Sequence, residues 1–234
     1  MNKSMLRRSA LRGGAAVLAL IVFGVTGIIL CLAGDGSGME DGLRRFAPPE
    51  KTGLPETEYA AAAALITGYL TDRTERFQME LAGNGGETVS AFHDYEAEHM
   101  ADCRGLIRLD RLLCGISLVL AVGLLAREAA VFRKEGDAGR KAFSAGALRS
   151  IRVTAGVVLA LAVWACADFD GLFVTFHRVA FRNDLWLLNP RTDLLIRLMP
   201  EQLFVRMGIR GGIAAAVWVL LLYIAAEALK GKKK

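Results

Sequence analysis

The stretch GGAAVLALIVFGVTGIILCLAG, residues 13–34, carries no charged side chain. It is long enough for a helix that crosses the hydrocarbon core of a bilayer, which takes about 20 apolar residues. Four basic side chains and no acidic one come before it. A cleaved signal peptide has a similar basic start, but its apolar region is usually only about 7–15 residues long. The stretch therefore predicts an uncleaved membrane anchor.

Three further uncharged runs are shorter, at 112–126, 153–167 and 211–226. Taken singly, each is also compatible with a buried core helix of a soluble protein. Basic side chains at their ends, such as Arg127 and Arg152, lengthen them by reaching toward the lipid headgroups. The chain is also 53% hydrophobic, with a mean hydropathy of +0.36. Together these features predict four transmembrane helices, at 13–33, 112–130, 151–168 and 209–229.

The charges between the runs orient the chain, because basic residues are enriched on the cytoplasmic side. Segment 127–150 holds six basic and three acidic residues, and the tail after Ala226 holds four lysines and one glutamate. Segment 34–111 is instead acidic, with eight basic and fifteen acidic residues. The bias alternates from one segment to the next, so the sequence predicts a multi-pass protein of the cell membrane with both termini in the cytoplasm.

The predicted fold is an all-α membrane protein, four transmembrane helices with an extracytoplasmic cap in which short strands are allowed. Residues 1–12, the loop 131–150 and the tail 230–234 are expected in the cytoplasm. The cap is expected at 34–111, with a second outer segment at 169–208. The net charge of +5 comes mostly from cytoplasmic lysine and arginine, which indicates membrane orientation rather than nucleic-acid binding.

Within the cap, composition predicts several local structures. The glycine-, proline- and charge-rich stretch 34–58 is typical of an irregular linker. The alanine-rich stretch after it predicts a short helix, which either lies at the membrane surface or covers the helix bundle. Residues 81–90 predict a turn between short strands, and residues 90–113 predict a helix that continues into the second span.

Two of the three histidines stand in FHDYEAEHMADC, residues 92–103. On a helix, residues three or four apart share a face, so Glu96, His99, Asp102 and Cys103 line one stripe while His93 does not. A carboxylate beside an imidazole can fix its tautomer and stabilise its charged form. The alternative is an ordinary histidine on a solvated acidic face, which we favour for His93.

The third histidine, His177, stands in an aromatic outer segment. Trp and Phe are common at membrane interfaces, so a simple aromatic belt explains this composition. The functional alternative is an apolar slot for acyl chains with a histidine at its mouth. Four cysteines fall near the outer side, where disulfides are possible, but their spacing favours no pairing: Cys31, Cys103, Cys114 and Cys166.

Two motifs give the chain a family resemblance. The first runs from Phe92 through Glu96 to His99-Met100-Ala101-Asp102. The second comprises Phe176-His177, Phe181-Arg182-Asn183-Asp184-Leu185-Trp186, Pro190, Asp193-Leu194-Leu195-Ile196, Pro200-Glu201 and Phe204. With the four-span layout, they resemble the bacterial lipoprotein intramolecular transacylase (Lit) family. Cys103 stands where the family pattern has an aliphatic residue.

The resemblance implies an acyltransferase without a cofactor or a metal. Its partners would be membrane lipid and a diacylglyceryl lipoprotein, whose sn-2 acyl chain moves to the amino group of its N-terminal cysteine. The implied catalytic residues are His99 and His177. We expect His99 to act as the base and His177 as the acid or oxyanion donor, although the reverse assignment is nearly as well supported.

Further residues are expected to support this chemistry. Glu96 or Asp102 is expected to orient His99, Asp170 or Asp168 to orient His177, and Asn183 to add a hydrogen-bond donor. The expected acyl-binding side chains are aromatic: Phe92, Phe173, Phe176, Phe181 and Trp186.

Two other classes of function remain open on the sequence. A metal-dependent membrane hydrolase would place its ion among Glu96, His99, Asp102, Cys103 and His177, whose spacing is not that of a known zinc motif. A non-catalytic membrane protein is the other alternative. Transport is disfavoured because no charged residue stands in the middle of a predicted span.

Overall fold

The computed structural model describes residues 3–82 and 88–230, and most of these residues are helical. The helices are α1 (Lys3–Gly34), α2 (Gly36–Phe46), α3 (Pro49–Thr52), α4 (Tyr59–Leu70), α5 (Asp94–Ala167), α6 (Phe169–Ala180), α7 (Leu194–Leu198) and α8 (Glu201–Ala228). Two short strands, β1 (Glu80–Ala82) and β2 (Thr88–Ser90), pair antiparallel with Leu81 opposite Val89. The turn predicted between them, at 83–87, and most of the predicted tail lie outside the described residues.

Three of the described helices are long and apolar enough to cross a membrane: α1, α5 and α8. The second and third predicted spans both fall within α5, which is two helices joined at a kink at Gly136. We call them the first arm, 94–135, and the second arm, 137–167. The predicted cytoplasmic loop at 131–150 is therefore wrong as a loop, because the chain is helical on both sides of that glycine.

The chain forms two compact units, and the first contains residues 1–27, 112–173 and 213–234. Its core joins Val17 and Ile21 of α1 to Ala147 and Ile151 of the second arm. Outward-facing apolar side chains remain exposed on its helices, such as Val119 at 72%. Exposed apolar surface of this kind is what a hydrocarbon environment requires.

A buried ionic cluster also holds this unit together. Glu128 is fully buried, and its carboxylate accepts hydrogen bonds from the Ser9 hydroxyl and the Arg12 guanidinium. A buried carboxylate is costly unless it is paired and hydrogen-bonded. The cluster therefore fixes the start of α1 against the end of the first arm.

Two glycines allow α1 and the second arm to approach closely. A Cβ atom on Gly146 would collide with the carbonyl oxygen of Ala10, and one on Gly13 would collide with the carbonyl oxygen of Phe143. Small residues at helix interfaces permit this kind of backbone contact in membranes.

We expect Gly146→Ala to destabilise the protein by about 1–3 kcal/mol, because the added methyl group forces the two helices apart. Gly156→Ala is the matched control on the same arm, where a Cβ would meet nothing within 4 Å. There the higher helix propensity of alanine is expected to raise stability by about 0.5–1 kcal/mol. Thermal unfolding in detergent measures the stability of both variants. Equal shifts in their unfolding temperatures would contradict the close contact between the two helices.

The second unit contains residues 28–111 and 174–212. Its core surrounds α4, which is confirmed as a helix and is buried along Tyr59, Ala62 and Ile66. α7 adds Leu195 and Leu198 to the same core.

The linker predicted at 34–58 is wrong, since α2 and α3 occupy most of it. Asp35 caps α2 by accepting a hydrogen bond from the Gly38 N–H at 2.9 Å. Met39 and Leu43, one turn apart, bury their side chains in the core of this unit. Burial of that face outweighs the low helix propensity of the glycines.

Candidate active site

His99 lies in the second turn of the first arm, which begins at Asp94 as the sequence predicted to within a few residues. Its side chain is 7% exposed, and its Nδ1 atom has no hydrogen-bond partner among the described residues. Its Nε2 atom lies 3.6 Å from Sγ of Cys103, one turn later. Buried polar atoms in proteins are nearly always paired, so the Nδ1 atom is available to a further hydrogen-bond partner.

His177 lies near the end of α6 and faces His99. The centroids of the two imidazole rings are 6.1 Å apart, with their planes at 31°. His177 is also buried, at 8% exposure. Residues 78 positions apart in sequence are thus brought together within one compact unit.

Aromatic rings enclose this histidine pair. The Phe181 ring lies 5.1 Å from the ring of His99 and 5.5 Å from that of His177. The Trp186 ring lies 5.1 Å from that of His177. Phe176, which is largely exposed, packs edge-on against His177 and Phe181. These rings reduce the access of water to the imidazoles on this side.

The enclosure changes the acid–base properties of His99. Burial lowers the pKa of His99 to about 4, and the neighbouring His177 acts in the same direction, while the Asp102 carboxylate opposes both effects. His99 is therefore a neutral imidazole at neutral pH. A positive charge on His177 would further disfavour protonation of His99.

Asp102 connects the first arm to the chain that follows α6. Its Oδ2 atom accepts a hydrogen bond from Nδ2 of Asn183 at 2.8 Å. This bond holds the segment that carries Phe181 and Trp186 against the helix that carries His99. Beside it lies an open groove of about 490 Å³, lined by Arg178, Phe181, Arg182, Asn183, Asp184, Trp186 and Leu187.

The sequence of this chain is similar to that of a known protein family. The sequence profile described as lipoprotein intramolecular transacylase Lit matches residues 15–204. The chain belongs to this family. Together with its long apolar helices, membership identifies it as a bacterial membrane protein of the transacylase family, which confirms the resemblance seen in its two motifs. Among individually curated protein sequences, none matches significantly.

Solved structures of a Lit protein share the fold. The membrane integral lipoprotein intramolecular transacylase Lit from Bacillus cereus is 17% identical, with a TM-score of 0.67 over 97% of this chain and 95% of that one. A variant of the same protein with a histidine-to-arginine mutation is 16% identical, with a TM-score of 0.64 over 97% and 92% of the two chains. A histidine-to-alanine variant is 16% identical, with a TM-score of 0.64 over 97% of this chain and 94% of that one.

Glu96 has partners in this Lit-family chain other than the predicted His99. It is fully buried, and one carboxylate oxygen accepts a hydrogen bond from the His93 N–H at 2.8 Å. The other accepts one from the Leu195 N–H, at the start of α7, at 2.7 Å. Glu96 therefore closes the first turn of α5 as in a capping box and ties it to α7.

Several other predicted residues of this Lit-family chain have contacts of their own. Phe92 is buried in the core of the second unit, with its ring 4.7 Å from that of Phe77. Asp170 is exposed in the first turn of α6, and Phe173 pairs with Phe169 at 6.2 Å. Asp168 caps α6 through the Gly171 N–H at 2.9 Å. These last four residues belong to the first compact unit.

The metal site considered from the sequence is not assembled. Across residues 3–82 and 88–230, no three or more His, Cys, Asp or Glu side chains cluster as metal ligands. Glu96 is occupied by backbone N–H groups, as described above. All four cysteines are free thiols.

One contact near the site was missed by sequence reasoning. Tyr95 donates a hydrogen bond from its hydroxyl to Oδ1 of Asp193 at 2.7 Å. The other oxygen of Asp193 accepts from the Asn189 N–H at 2.7 Å. The Asn-Pro turn signal at 189–190 predicted the turn, but no local pattern predicts a partner 98 residues away.

Proposed function

We propose that this chain moves the sn-2 acyl chain of a diacylglyceryl-modified lipoprotein to the amino group of the lipoprotein's own N-terminal cysteine. The observation that carries the proposal is the buried pair of imidazoles, His99 and His177, 6.1 Å apart. Family membership supplies the reaction class. The aromatic rings and the groove beside the pair suit a substrate that is part acyl chain and part peptide.

The reaction needs a base and a stabiliser of negative charge. The unprotonated amine attacks the ester carbonyl, forming a C–N bond and an oxyanion, and loses a proton. The bond from carbon to the glyceryl oxygen then breaks, and that oxygen takes up a proton. One imidazole can accept the first proton and return it to the leaving oxygen. No enzyme-bound acyl group is required.

We assign the proton transfers to His177 and the oxyanion to His99, which reverses the preference drawn from the sequence. The low pKa of His99 makes it a poor proton acceptor at neutral pH. A neutral imidazole can still donate its N–H hydrogen bond to an oxyanion, and a pKa lowered by the protein is known to serve this role.

Ring closure places a further demand on the site. The attacking nitrogen and the ester carbonyl belong to the same molecule, yet they meet only when the thioether-linked glyceryl unit folds back into a medium-sized ring. Holding that folded form removes an entropic cost. We assign this task to Phe176, Phe181 and Trp186, with the Asp102–Asn183 hydrogen bond fixing the last two.

The predicted layout is part of the proposal. We place four spans in the membrane by treating the two arms of α5 as separate crossings, with both termini in the cytoplasm. Residues 34–111 and 169–208 are then extracytoplasmic, and the substrates are lipoproteins in the outer leaflet of the membrane. Asp170 and Phe173 remain candidates for orienting His177 and for acyl contact.

The test is mass spectrometry of N-terminal lipopeptides from bacteria with and without this chain. We expect the chain to move one acyl group from the glyceryl unit to the cysteine nitrogen, with no change in total lipid mass. Fragmentation locates the acyl group. Unchanged lipopeptides in cells that contain the folded protein in their membranes would favour the non-catalytic alternative.

A further inference from the structure

Cys103 contacts His99, and the proposed mechanism gives it no role. Its Sγ atom lies 3.6 Å from Nε2 of His99, at hydrogen-bond distance for sulfur. The two residues are one helical turn apart in the first arm, which holds their relative position. The other ring nitrogen, Nδ1, is buried, and no side chain or backbone group of residues 3–82 and 88–230 forms a hydrogen bond with it. The thiol therefore occupies one side of the imidazole and leaves the other side for a ligand.

The charge state of this pair decides between two roles for the thiol. A cysteine nucleophile needs a lowered pKa, which an imidazolium neighbour provides. Here burial raises the pKa of Cys103 to about 12, and burial lowers the pKa of His99 to about 4. Both shifts oppose a thiolate–imidazolium pair. The groups facing His99, namely His177, Asp102 and Cys103 itself, do not reverse this balance.

A neutral thiol and a neutral imidazole can form one hydrogen bond in two directions. The unprotonated imidazole nitrogen is a good acceptor, whereas a thiol sulfur is a weak one. The bond is therefore more favourable when the thiol donates its proton to Nε2. In that arrangement the imidazole carries its own proton on Nδ1.

We propose that Cys103 is a positioning residue that holds His99 as the Nδ1–H tautomer and so aims a buried N–H donor at the substrate oxygen. The tautomer follows from the contact itself. Its catalytic consequence rests on the proposed function, because it makes His99 the oxyanion donor and leaves proton transfer to His177.

The test is a long-range 1H–15N correlation spectrum of the full-length protein, labelled with 15N-histidine and held in detergent micelles. This spectrum distinguishes the two tautomers of each histidine. We expect Nδ1–H for His99 in the wild-type chain and a shift toward Nε2–H in Cys103→Val. Cys103→Ser keeps a donor and is expected to retain Nδ1–H. Cys114→Ala is the matched control, since its sulfur contacts the Phe23 carbonyl instead of an imidazole.

The rate of acyl transfer gives a second readout. We expect Cys103→Val to lower kcat by about two- to tenfold at unchanged KM, which is what one neutral hydrogen bond is worth, with partial recovery in Cys103→Ser. An Nε2–H tautomer in the wild type, or an acyl group found on Cys103 by mass spectrometry, would overturn the proposal. If His99 is the Nδ1–H tautomer but the protein transfers no acyl group, the assignment of the tautomer is supported and the proposed function is contradicted.

Discussion

His177→Ala is expected to lower the rate of acyl transfer by about 10²- to 10⁴-fold, because the variant loses the group that carries the proton between nitrogen and oxygen. The loss should fall on kcat, since the proton moves only in the transition state. Purified protein with a synthetic diacylglyceryl lipopeptide, followed by mass spectrometry, measures the rate. His99→Ala should lose a similar amount, about 10²- to 10³-fold, as a lost oxyanion donor does.

His93→Ala is the matched control for both variants. His93 is exposed, stacks on Tyr95 at 5.2 Å between ring centroids, and lies six residues before His99. We expect the rate of acyl transfer in His93→Ala to stay within about twofold of the wild-type rate. Most surface substitutions change a free energy by no more than about 0.5 kcal/mol, which corresponds to about twofold. The double variant His99→Ala/His177→Ala should lose less than the product of the single losses, since groups that act as a unit are not additive. Full acyl-transfer activity in either His99→Ala or His177→Ala would contradict the mechanism with two imidazoles.

Glu96→Ala is expected to destabilise the protein by about 2–6 kcal/mol. The change removes the acceptor of two backbone N–H groups, those of His93 and Leu195. The buried Leu195 N–H costs about 1–3 kcal/mol when it is left unsatisfied, and the lost hydrogen bond from the part-buried His93 N–H to a charged group costs a similar amount. Glu96→Gln retains one acceptor oxygen, so its free energy of unfolding should fall by about half as much. Unfolding in detergent, followed by circular dichroism, measures these changes.

Glu98→Ala provides the comparison, because Glu98 is exposed on the same turn of α5 and its side chain makes no hydrogen bond or ion pair within the described chain. Its substitution should change stability by no more than about 0.5 kcal/mol. If Glu96→Ala unfolds at the wild-type temperature yet transfers no acyl group, Glu96 acts on the reacting atoms rather than on the backbone.

The parts of the fold set by the membrane were the most predictable. Lipid requires long apolar helices, and each uncharged run lies within one of the three long apolar helices, α1, α5 and α8, two of the runs falling within α5. α2 was missed because its glycines and charges are typical of a linker, although Met39 and Leu43 stand at helical spacing. The kink at Gly136 was not predicted either, since a glycine inside a helical pattern does not by itself indicate a kink.

The histidine pair could be predicted only through the family motifs. Periodicity placed His99 on a stripe with Asp102 and Cys103, but it could not join that stripe to α6. The same limit explains why the partners of Glu96 and Phe92 were not predicted. Glu96 has its second partner at Leu195, 99 residues away, and Phe92 packs on Phe77 rather than on the site. Contacts this distant depend on the tertiary fold, which one sequence does not reveal.

The kink in α5 limits which amino acid can stand at position 136. Gly136 has φ 55° and ψ −132°, the mirror image of the extended conformation that ordinary residues adopt. An L-amino acid is strained at this φ whatever the surrounding space, although a Cβ atom on position 136 would meet no atom within 4 Å. The kink between the two arms thus depends on glycine, the only achiral amino acid of the genetic code.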